Sequence, residues 1–249
     1  MRGRFAPSPT GQMHLGNAWT ALLAWLQVRA GKGQLVLRME DLDPDRSRAE
    51  YVEGLEKDLR WLGLDWEEGG DLGGAYGPYE QDKRRGLYEE ALQRLRRQEL
   101  IYPCYCTRAE LAASAPHGED GERIYQGTCA GGVAGSKLTR KPSLRLKVPE
   151  EEIVFEDGVY GLVRQNLRQE CGDFVVRRSD GVHAYQLAVV VDDALMGITH
   201  VLRGADLLAS TPRQLYLYRL LGYAAPLFSH VPLLVDEKGV RLSKRHGAL

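Results

Sequence analysis

The chain has 249 residues, 43% of them hydrophobic and 27% charged, and its formal net charge at pH 7 is −1. This composition is typical of a globular protein with one large domain or one domain carrying an insertion, and the balanced charge excludes a basic nucleic-acid-binding surface over the whole molecule. No apolar run reaches the roughly 18 residues that a membrane-spanning helix needs, and no signal segment opens the chain, so we expect no membrane association and a cytoplasmic location.

A strand, a small-residue turn and a helix open the chain. The letters predict a strand over 3–6, a turn rich in Pro, Ser and Gly, and a helix that begins near His14 and stops at Gly31. The N-terminus of a helix presents unpaired N–H groups, and Gly16 would let a phosphate approach the backbone closely. This connection is therefore a candidate phosphate site, with an ordinary strand–turn–helix connection as the alternative.

A second strand, over 34–39, completes a β-α-β unit whose crossover favours a parallel sheet. Glu40 follows this strand directly. Ligands of open α/β sheets bind beyond the carboxyl ends of strands, so Glu40 is placed to meet a cationic group, although a solvated acidic turn would have the same letters. Ser47 and Glu50 form a predicted capping box for the next helix, and a further amphipathic helix is expected over 81–98.

Three of the four cysteines lie close together in sequence and suggest a metal site. Cys104 and Cys106 are separated by one residue, and Cys129 follows in the same part of the chain. Three thiolates in one local segment are typical of a tetrahedral structural zinc site, which takes four ligands. The residues that chemistry alone leaves open as the fourth ligand are Tyr125, His117 and Cys171.

From Ser143 onward the pattern is mainly that of β-strands. The nearly continuous apolar run over 184–191 predicts a buried strand that ends in two aspartates, and the run over 197–203 predicts another strand. A helix follows, with Pro212 near its start and Gly222 after its end.

Two motifs, in this order, resemble the paired signatures of class I aminoacyl-tRNA synthetases, which are usually written HIGH and KMSKS. They are PSPTG…HLGN over 7–17 and RLSKR over 241–245. Other segments resemble the glutamyl branch of that family over essentially the whole chain: RFAPSPTG, RMEDLDPDRS, WLGLDWEE, AVVVDD, ITHVLRGADLL and STPRQLYLYRLLG. The sequence is also similar to the short glutamyl-queuosine paralogues of that branch, which have no anticodon-binding domain and carry a Cys-x-Cys…Tyr-x3-Cys zinc pattern.

The resemblance implies an α/β fold, with a Rossmann-type parallel-sheet catalytic domain and an α+β insertion that contains zinc. The first half of the catalytic domain would span 1–99, the insertion 100–183, and the second half, with the KMSKS-type loop, 184–249. Two features depart from the family pattern. The segment between Cys106 and Tyr125 is long, and the chain stops soon after the KMSKS-type loop, so the C-terminal helical tail of the relatives is expected to be absent.

The resemblance also implies which residues hold the metal and the substrates. The ligands of one structural Zn²⁺ would be Cys104, Cys106, Tyr125 and Cys129. The residues of a glutamate site would be Arg4, Phe5, Ala6, Pro7, Ser8, Glu40, Tyr185 and Arg203. The residues that bind ATP, with its Mg²⁺, would be His14, Gly16, Asn17 and Lys244, and the expected catalytic residues are His14 and Lys244.

The chemistry of glutamate fits this assignment. Its two carboxylates need two cationic partners, which Arg4 and Arg203 would supply, and Glu40 would pair with the ammonium group. An arginine facing the γ-carboxylate also rejects glutamine, because the amide would place N–H against N–H. His14 and the helix start behind it would hold the ATP phosphates, and Lys244 would neutralise charge on the leaving pyrophosphate.

The implied activity is that of an ATP-dependent ligase. It would activate glutamate to glutamyl-adenylate without tRNA and transfer glutamate to the queuosine base in the anticodon loop of tRNA(Asp). The expected partners are this anticodon loop, glutamate and ATP, and the expected assembly is a monomer. The alternatives are a glutamyl-tRNA synthetase fragment that charges the 3′ end of tRNA(Glu), against which the zinc pattern argues, and a silent RNA-binding relative, against which the intact site residues argue.

Overall fold

The computed structural model describes residues 1–107, 109–111, 124–132 and 139–237. Its strands, in chain order, are β1 (Arg2–Phe5), β2 (Gln34–Leu37), β3 (Glu68–Gly69), β4 (Ile101–Cys104), β5 (Ser143–Leu146), β6 (Glu152–Asp157), β7 (Gly161–Asn166), β8 (Phe174–Arg177), β9 (His200–Gly204) and β10 (Leu227–Val231). Its helices are α1 (Leu15–Ala30), α2 (Ala49–Trp61), α3 (Arg85–Arg97), α4 (Leu167–Glu170), α5 (Tyr185–Leu195) and α6 (Thr211–Leu221). Two predicted features lie outside the described residues: the 241–245 motif, which includes Lys244, and His117.

Seven strands form the main sheet, in the spatial order β3-β2-β1-β9-β10-β6-β7. Neighbouring strands are parallel, except that β6 and β7 form an antiparallel hairpin at one edge. Strands β1 and β9, which are distant in sequence, are neighbours at the centre. Because the parallel strands point the same way, their carboxyl ends share one edge of the sheet, where ligands of such folds bind. The predicted Rossmann-type α/β fold is confirmed.

A second sheet, antiparallel and in the order β4-β5-β8, lies within the predicted insertion. The β6–β7 hairpin comes from the same stretch of sequence, but it joins the main sheet where Asp157 pairs with Phe228 of β10. The stretch of the predicted insertion therefore contributes an edge to the main sheet and also forms a sheet of its own. The boundaries at 99/100 and 183/184 stay a prediction.

The run over 184–191 is a helix, so the predicted strand is wrong. Helix α5 covers Tyr185–Leu195, and every residue from Leu187 to Asp193 is buried. A helix that is buried on all sides has an unbroken apolar sequence, which hydrophobic periodicity does not distinguish from that of a buried strand. The two aspartates that end the run therefore lie in the core, within a helix.

The signals at the helix ends are confirmed for α6 and wrong for α2. Pro212 lies in the first turn of α6, and Gly222 follows the helix with a left-handed φ of 66°. The predicted capping box of Ser47 and Glu50 does not form, because the N-cap of α2 is Arg48 and the Ser47 hydroxyl is buried without a hydrogen-bond partner among the described residues.

No helix in the described ranges is long and apolar enough to cross a membrane.

Candidate active site and metal centre

A cavity of about 400 Å³ lies at the carboxyl ends of the central parallel strands. It is lined by every sequence-predicted glutamate and ATP residue that the structure describes: Arg4, Phe5, Ala6, Pro7, Ser8, His14, Gly16, Asn17, Glu40, Tyr185 and Arg203. Its other lining residues are Thr10, Trp19, Thr20, Leu202, Gly204, Asp206, Leu207, Leu233 and Leu234. Two distant parts of the chain therefore meet in one site.

One side of the cavity is the start of α1. His14 is the N-cap of this helix: its Nδ1 accepts a hydrogen bond from the Gly16 N–H at 3.1 Å, and its carbonyl accepts one from the Asn17 N–H at 2.9 Å. The cap fixes the imidazole at the cavity wall. Because a helix N-terminus carries the positive end of the helix dipole, this side of the cavity is suited to phosphate groups.

Buried arginines and carboxylates form a network beside the cavity. Asp193 accepts hydrogen bonds from Arg4 Nε at 3.4 Å and from Arg38 Nη1 at 2.6 Å, and Arg38 Nη2 donates to Glu40 at 3.2 Å. Burial by itself raises the pKa of Asp193, but the charges of Arg38 and Arg4 outweigh this effect and lower that pKa. Burial raises the pKa of Glu40 despite the same two arginines. The network fixes Arg4 and Glu40 relative to each other.

Arg203, on β9, has a different set of partners. Its Nε donates to Nε2 of His230 at 3.0 Å, and its Nη2 donates to the Thr211 hydroxyl at 2.9 Å. Its Nη1 is buried and has no hydrogen-bond partner in the described part of the chain. Burial lowers the pKa of Arg203, and the charge of Arg4 acts in the same direction. A buried cationic donor without a partner is suited to an anionic group of a ligand.

A buried carboxylate and a buried imidazole stand behind this arginine. His230 Nδ1 and Asp157 Oδ2 are 2.6 Å apart. Burial lowers the pKa of His230 to about 4, and the charge of Arg203 adds to this effect. The imidazole is therefore neutral at pH 7, with the proton on Nδ1, which donates to Asp157, and a lone pair on Nε2, which accepts from Arg203.

A second cavity, of about 590 Å³, adjoins the first. The residues that line both cavities are Ser8, Thr10, Glu40 and Tyr185. Its other lining residues come from both sides of the predicted insertion boundary, and they include the charged side chains of Asp43, Arg46 and Arg178 and the imidazole of His183. A molecule that enters the second cavity can thus reach a ligand held in the first.

The three predicted cysteine ligands lie together, Cys104 at the end of β4 and the other two after it. The sulfur atoms of Cys104, Cys106 and Cys129 are within 4.8 Å of one another, and those of Cys106 and Cys129 are 3.6 Å apart. Tetrahedral zinc with Zn–S bonds of about 2.3 Å would separate its sulfurs by about 3.8 Å, so the spacing fits this metal. Burial by itself raises the pKa of Cys104, but hydrogen bonds from Tyr125 and Arg145 lower it to about 7, which favours the thiolate that binds metal.

The phenol of Tyr125 lies beside the same sulfurs. Its oxygen is 3.4 Å from the Cys104 sulfur and 4.0 Å from the Cys106 sulfur, and it accepts a hydrogen bond from the Cys129 N–H at 2.9 Å. Cys171 offers its backbone carbonyl to the Tyr125 N–H at 3.4 Å, and the cysteine cluster of the described residues does not include its sulfur. Of these two candidates, Tyr125 is the better placed as a fourth ligand.

Sequence reasoning misses four buried residues that shape the site, which are Arg38, Asp157, Asp193 and His230. A charged residue inside an apolar run, as at Arg38 and Asp193, is a usable signal, because a buried charge needs a partner. No comparable signal marks the pairing of Asp157 with His230, since the two lie on strands that only the sheet brings together.

The comparisons with known proteins agree over the whole chain. A family model described as the catalytic domain of class I tRNA synthetases (E and Q) matches residues 1–249. A glutamyl-Q tRNA(Asp) synthetase from Nitratidesulfovibrio vulgaris is 54% identical over 256 residues, which cover 100% of this chain and 79% of that protein. A glutamyl-Q tRNA(Asp) synthetase from Symbiobacterium thermophilum is 56% identical over 255 residues, which cover 99% of this chain and 79% of that protein.

A solved structure gives the same result for the fold. The glutamate–tRNA synthetase from Elizabethkingia anophelis matches with a TM-score of 0.83 at 30% sequence identity, over 99% of this chain and 53% of that chain. The present chain therefore spans about half the length of that synthetase. The matches in sequence and in structure show that the chain belongs to the class I glutamyl- and glutaminyl-tRNA synthetase family.

Proposed function

We propose that the protein activates glutamate with ATP to form glutamyl-adenylate without tRNA, and transfers glutamate to the queuosine base in the anticodon loop of tRNA(Asp). One observation carries the proposal: a single cavity joins a helix start suited to phosphates with two buried arginines and a glutamate. The names of two similar proteins, both glutamyl-Q tRNA(Asp) synthetases, support the choice of acceptor.

The cavity offers partners for each charged group of glutamate. Arg4 and Arg203 supply cationic donors for the two carboxylates, and Glu40 supplies an acceptor for the ammonium group. The hydroxyl groups of Ser8 and Tyr185 line the same cavity and can add hydrogen bonds. Because an arginine donates and does not accept, this set favours glutamate over glutamine at the γ-position.

The activation step needs positioning and charge stabilisation, and no protein nucleophile. An oxygen of the α-carboxylate attacks the α-phosphorus of ATP, the bond from that phosphorus to the bridging oxygen breaks, and pyrophosphate leaves. His14, Gly16 and Asn17 at the start of α1 would hold the phosphates, and Lys244 would neutralise the pyrophosphate. Mg²⁺ bound to ATP would neutralise part of the phosphate charge.

The transfer step needs a route for a large acceptor, and the second cavity provides one. A hydroxyl group of the modified base would attack the carbonyl carbon of the adenylate, and AMP would leave. Arg46 and Arg178 in the second cavity can attract the phosphate backbone around that base. Splayed anticodon bases suit entry into such a cleft.

We further propose one structural Zn²⁺ in the insertion, held by Cys104, Cys106, Tyr125 and Cys129. The three sulfurs and the phenol oxygen converge on one point and come from two separate segments. Four protein ligands close the coordination sphere, so this metal would brace the insertion and take no part in the reaction.

The test is ATP–pyrophosphate exchange with glutamate, with and without tRNA, followed by transfer of labelled glutamate. We expect exchange without tRNA, and label on tRNA(Asp) that contains queuosine but not on tRNA(Asp) that lacks it. Label on the 3′ end of tRNA(Glu) would contradict the proposed acceptor and favour a charging synthetase. Absence of any glutamate-dependent exchange would contradict the activation step.

A further inference from the structure

Three buried side chains from three neighbouring strands form a chain of hydrogen bonds that ends at the cavity: Asp157 on β6, His230 on β10 and Arg203 on β9. We propose that Asp157 and His230 are positioning residues, which hold the Arg203 guanidinium in one orientation and leave its positive charge available to a carboxylate of the substrate. This inference rests on the proposed function, because it takes glutamate as the ligand.

The chain of hydrogen bonds begins at a fixed carboxylate. Oδ1 of Asp157 accepts hydrogen bonds from the N–H groups of Val159 and Tyr160, both at 3.0 Å, and from the N–H of His230 at 3.2 Å. Its Oδ2 is then left for Nδ1 of the His230 ring. Three backbone donors therefore fix the carboxylate, and the carboxylate decides which ring nitrogen of His230 carries the proton.

The tautomer of His230 in turn fixes the arginine. With the proton on Nδ1, Nε2 is an acceptor and takes the Nε–H of Arg203 at 3.0 Å, while Thr211 takes a second N–H from Nη2. Two acceptors on one edge of a planar guanidinium define its plane. Nη1, which has no partner in the described part of the chain, is the donor that remains for a ligand.

A neutral imidazole at this place leaves Arg203 without an ion-pair contact in the described part of the chain. A carboxylate in direct contact with Arg203 would compete with the carboxylate of the substrate. Arg4 has such a contact, since Asp193 lies 3.4 Å from its Nε. In the case of Arg203 the imidazole separates the guanidinium from Asp157, so the geometry is held without an ion pair.

Two variants of His230 separate positioning from packing. In His230→Gln, the amide oxygen can replace Nε2 as the acceptor for Arg203. In His230→Asn, the shorter amide can replace Nδ1 as the donor to Asp157, but it does not reach Arg203. In ATP–pyrophosphate exchange we expect His230→Asn to raise KM for glutamate by about tenfold or more, with KM for ATP within about twofold, and His230→Gln to raise KM for glutamate by less than about threefold.

Two results would overturn the proposal and leave His230 a structural role. One is an equal increase in the KM for glutamate in both variants, and the other is a fall in kcat with the KM values for glutamate and ATP unchanged. The state of the ring gives a readout that does not depend on activity. In ¹⁵N spectra at pH 7, the ring signals of His230 are identified as those that disappear in His230→Gln. We expect these signals to be those of a neutral ring with its proton on Nδ1. A proton on Nε2 would also overturn the proposal. A wild-type protein with no glutamate-dependent exchange would instead contradict the proposed function, so the two failures are distinct.

Discussion

Arg2 and Arg4 stand two residues apart on β1, and only Arg4 lines the cavity. Arg2 forms an ion pair with Glu68 at 2.8 Å and donates to the Met196 carbonyl at 2.7 Å. Arg4 contacts Asp193 and faces the proposed substrate. Two arginines on the same strand therefore have different environments, one in an ion pair outside the cavity and one at the cavity wall. Substitution of Arg2 is thus a matched control for substitution of Arg4.

We expect Arg4→Gln to raise KM for glutamate in ATP–pyrophosphate exchange by about tenfold or more, because a charge-assisted hydrogen bond to a carboxylate contributes about 1.5–3 kcal/mol. Arg2→Gln removes one positive charge from the same strand outside the cavity, and its glutamate KM should stay within about twofold of wild type. Steady-state kinetics at a fixed fraction of active protein measures both. Similar KM values for the two variants would contradict the role of Arg4.

Stability should depend on pH through His230. Burial, with the charge of Arg203, lowers the pKa of His230 to about 4 in the folded state, whereas an unfolded histidine titrates near 6.5. Between these values the unfolded state binds more protons, so stability is fully present above pH 6.5 and falls as the pH drops toward 4. The shift corresponds to about 3 kcal/mol.

The free energy of unfolding in urea, measured from pH 7 to pH 4 for the wild type and for His230→Gln, checks this expectation. Histidines 183 and 200, whose pKa values burial also lowers, contribute to the slope of both proteins and cancel in the difference. The wild type should lose more stability than the variant over this range. Parallel curves would show that His230 does not titrate as its surroundings predict.

At the scale of elements, the sequence predicts what depends on local signals and misses what depends on the sheet. The strand–turn–helix of β1 and α1 is predictable, because the turn residues and the helix start are local. Helix α5 is not, because an apolar run rich in valine has strand propensity, and hydrophobic periodicity does not distinguish a buried helix from a buried strand. Asp193 is missed together with α5, and His230 is missed because its partners lie on strands that only the sheet brings together.

Helix α5 is tied to the sheet by Asp193, which contacts Arg4 and Arg38. We expect Asp193→Asn to lower the free energy of unfolding by about 3–5 kcal/mol, because it leaves the buried Arg4 guanidinium without its ion-pair partner and takes one of its carboxylate partners from the buried Arg38. Asp65→Asn is the control, since its ion pair with Arg29 is largely exposed and should cost less than about 1 kcal/mol. Urea unfolding measures both. Equal losses would show that the buried network does not hold α5.

The cysteine cluster brings together two segments of the chain, one with Cys104 and Cys106 and one with Cys129. We expect purified wild-type protein to carry about one zinc per chain and Cys129→Ser to lose most of it, because an alcohol is a far weaker zinc ligand than a thiolate. Cys171→Ser changes a cysteine outside the cluster and should keep the metal. Elemental analysis after dialysis checks the metal content. Loss of zinc in Cys171→Ser with retention in Cys129→Ser would reverse the ligand assignment.

In the whole molecule, the two cavities draw on different parts of the chain. The first is lined only by residues between 4 and 40 and between 185 and 234, so no residue of the predicted insertion touches it in the described structure. The second has Val175, Arg178, Val182 and His183 from the insertion on its wall. Activation and transfer should therefore respond differently to changes in the insertion.

Arg178→Ala tests this separation. Arg178 lies on the wall of the second cavity, pairs with Asp43 at 3.3 Å and is about half exposed, so its removal should leave the fold and the first cavity intact. We expect exchange kinetics within about twofold of wild type and a KM for tRNA raised roughly fivefold, since an exposed contact with RNA contributes about 1 kcal/mol. Arg164→Ala is the control. Arg164 is an exposed arginine of β7 that pairs with Glu152 and lines neither of the two cavities, so its removal should change neither activation nor transfer. If Arg178→Ala slows exchange as much as transfer, the two cavities do not serve separate steps.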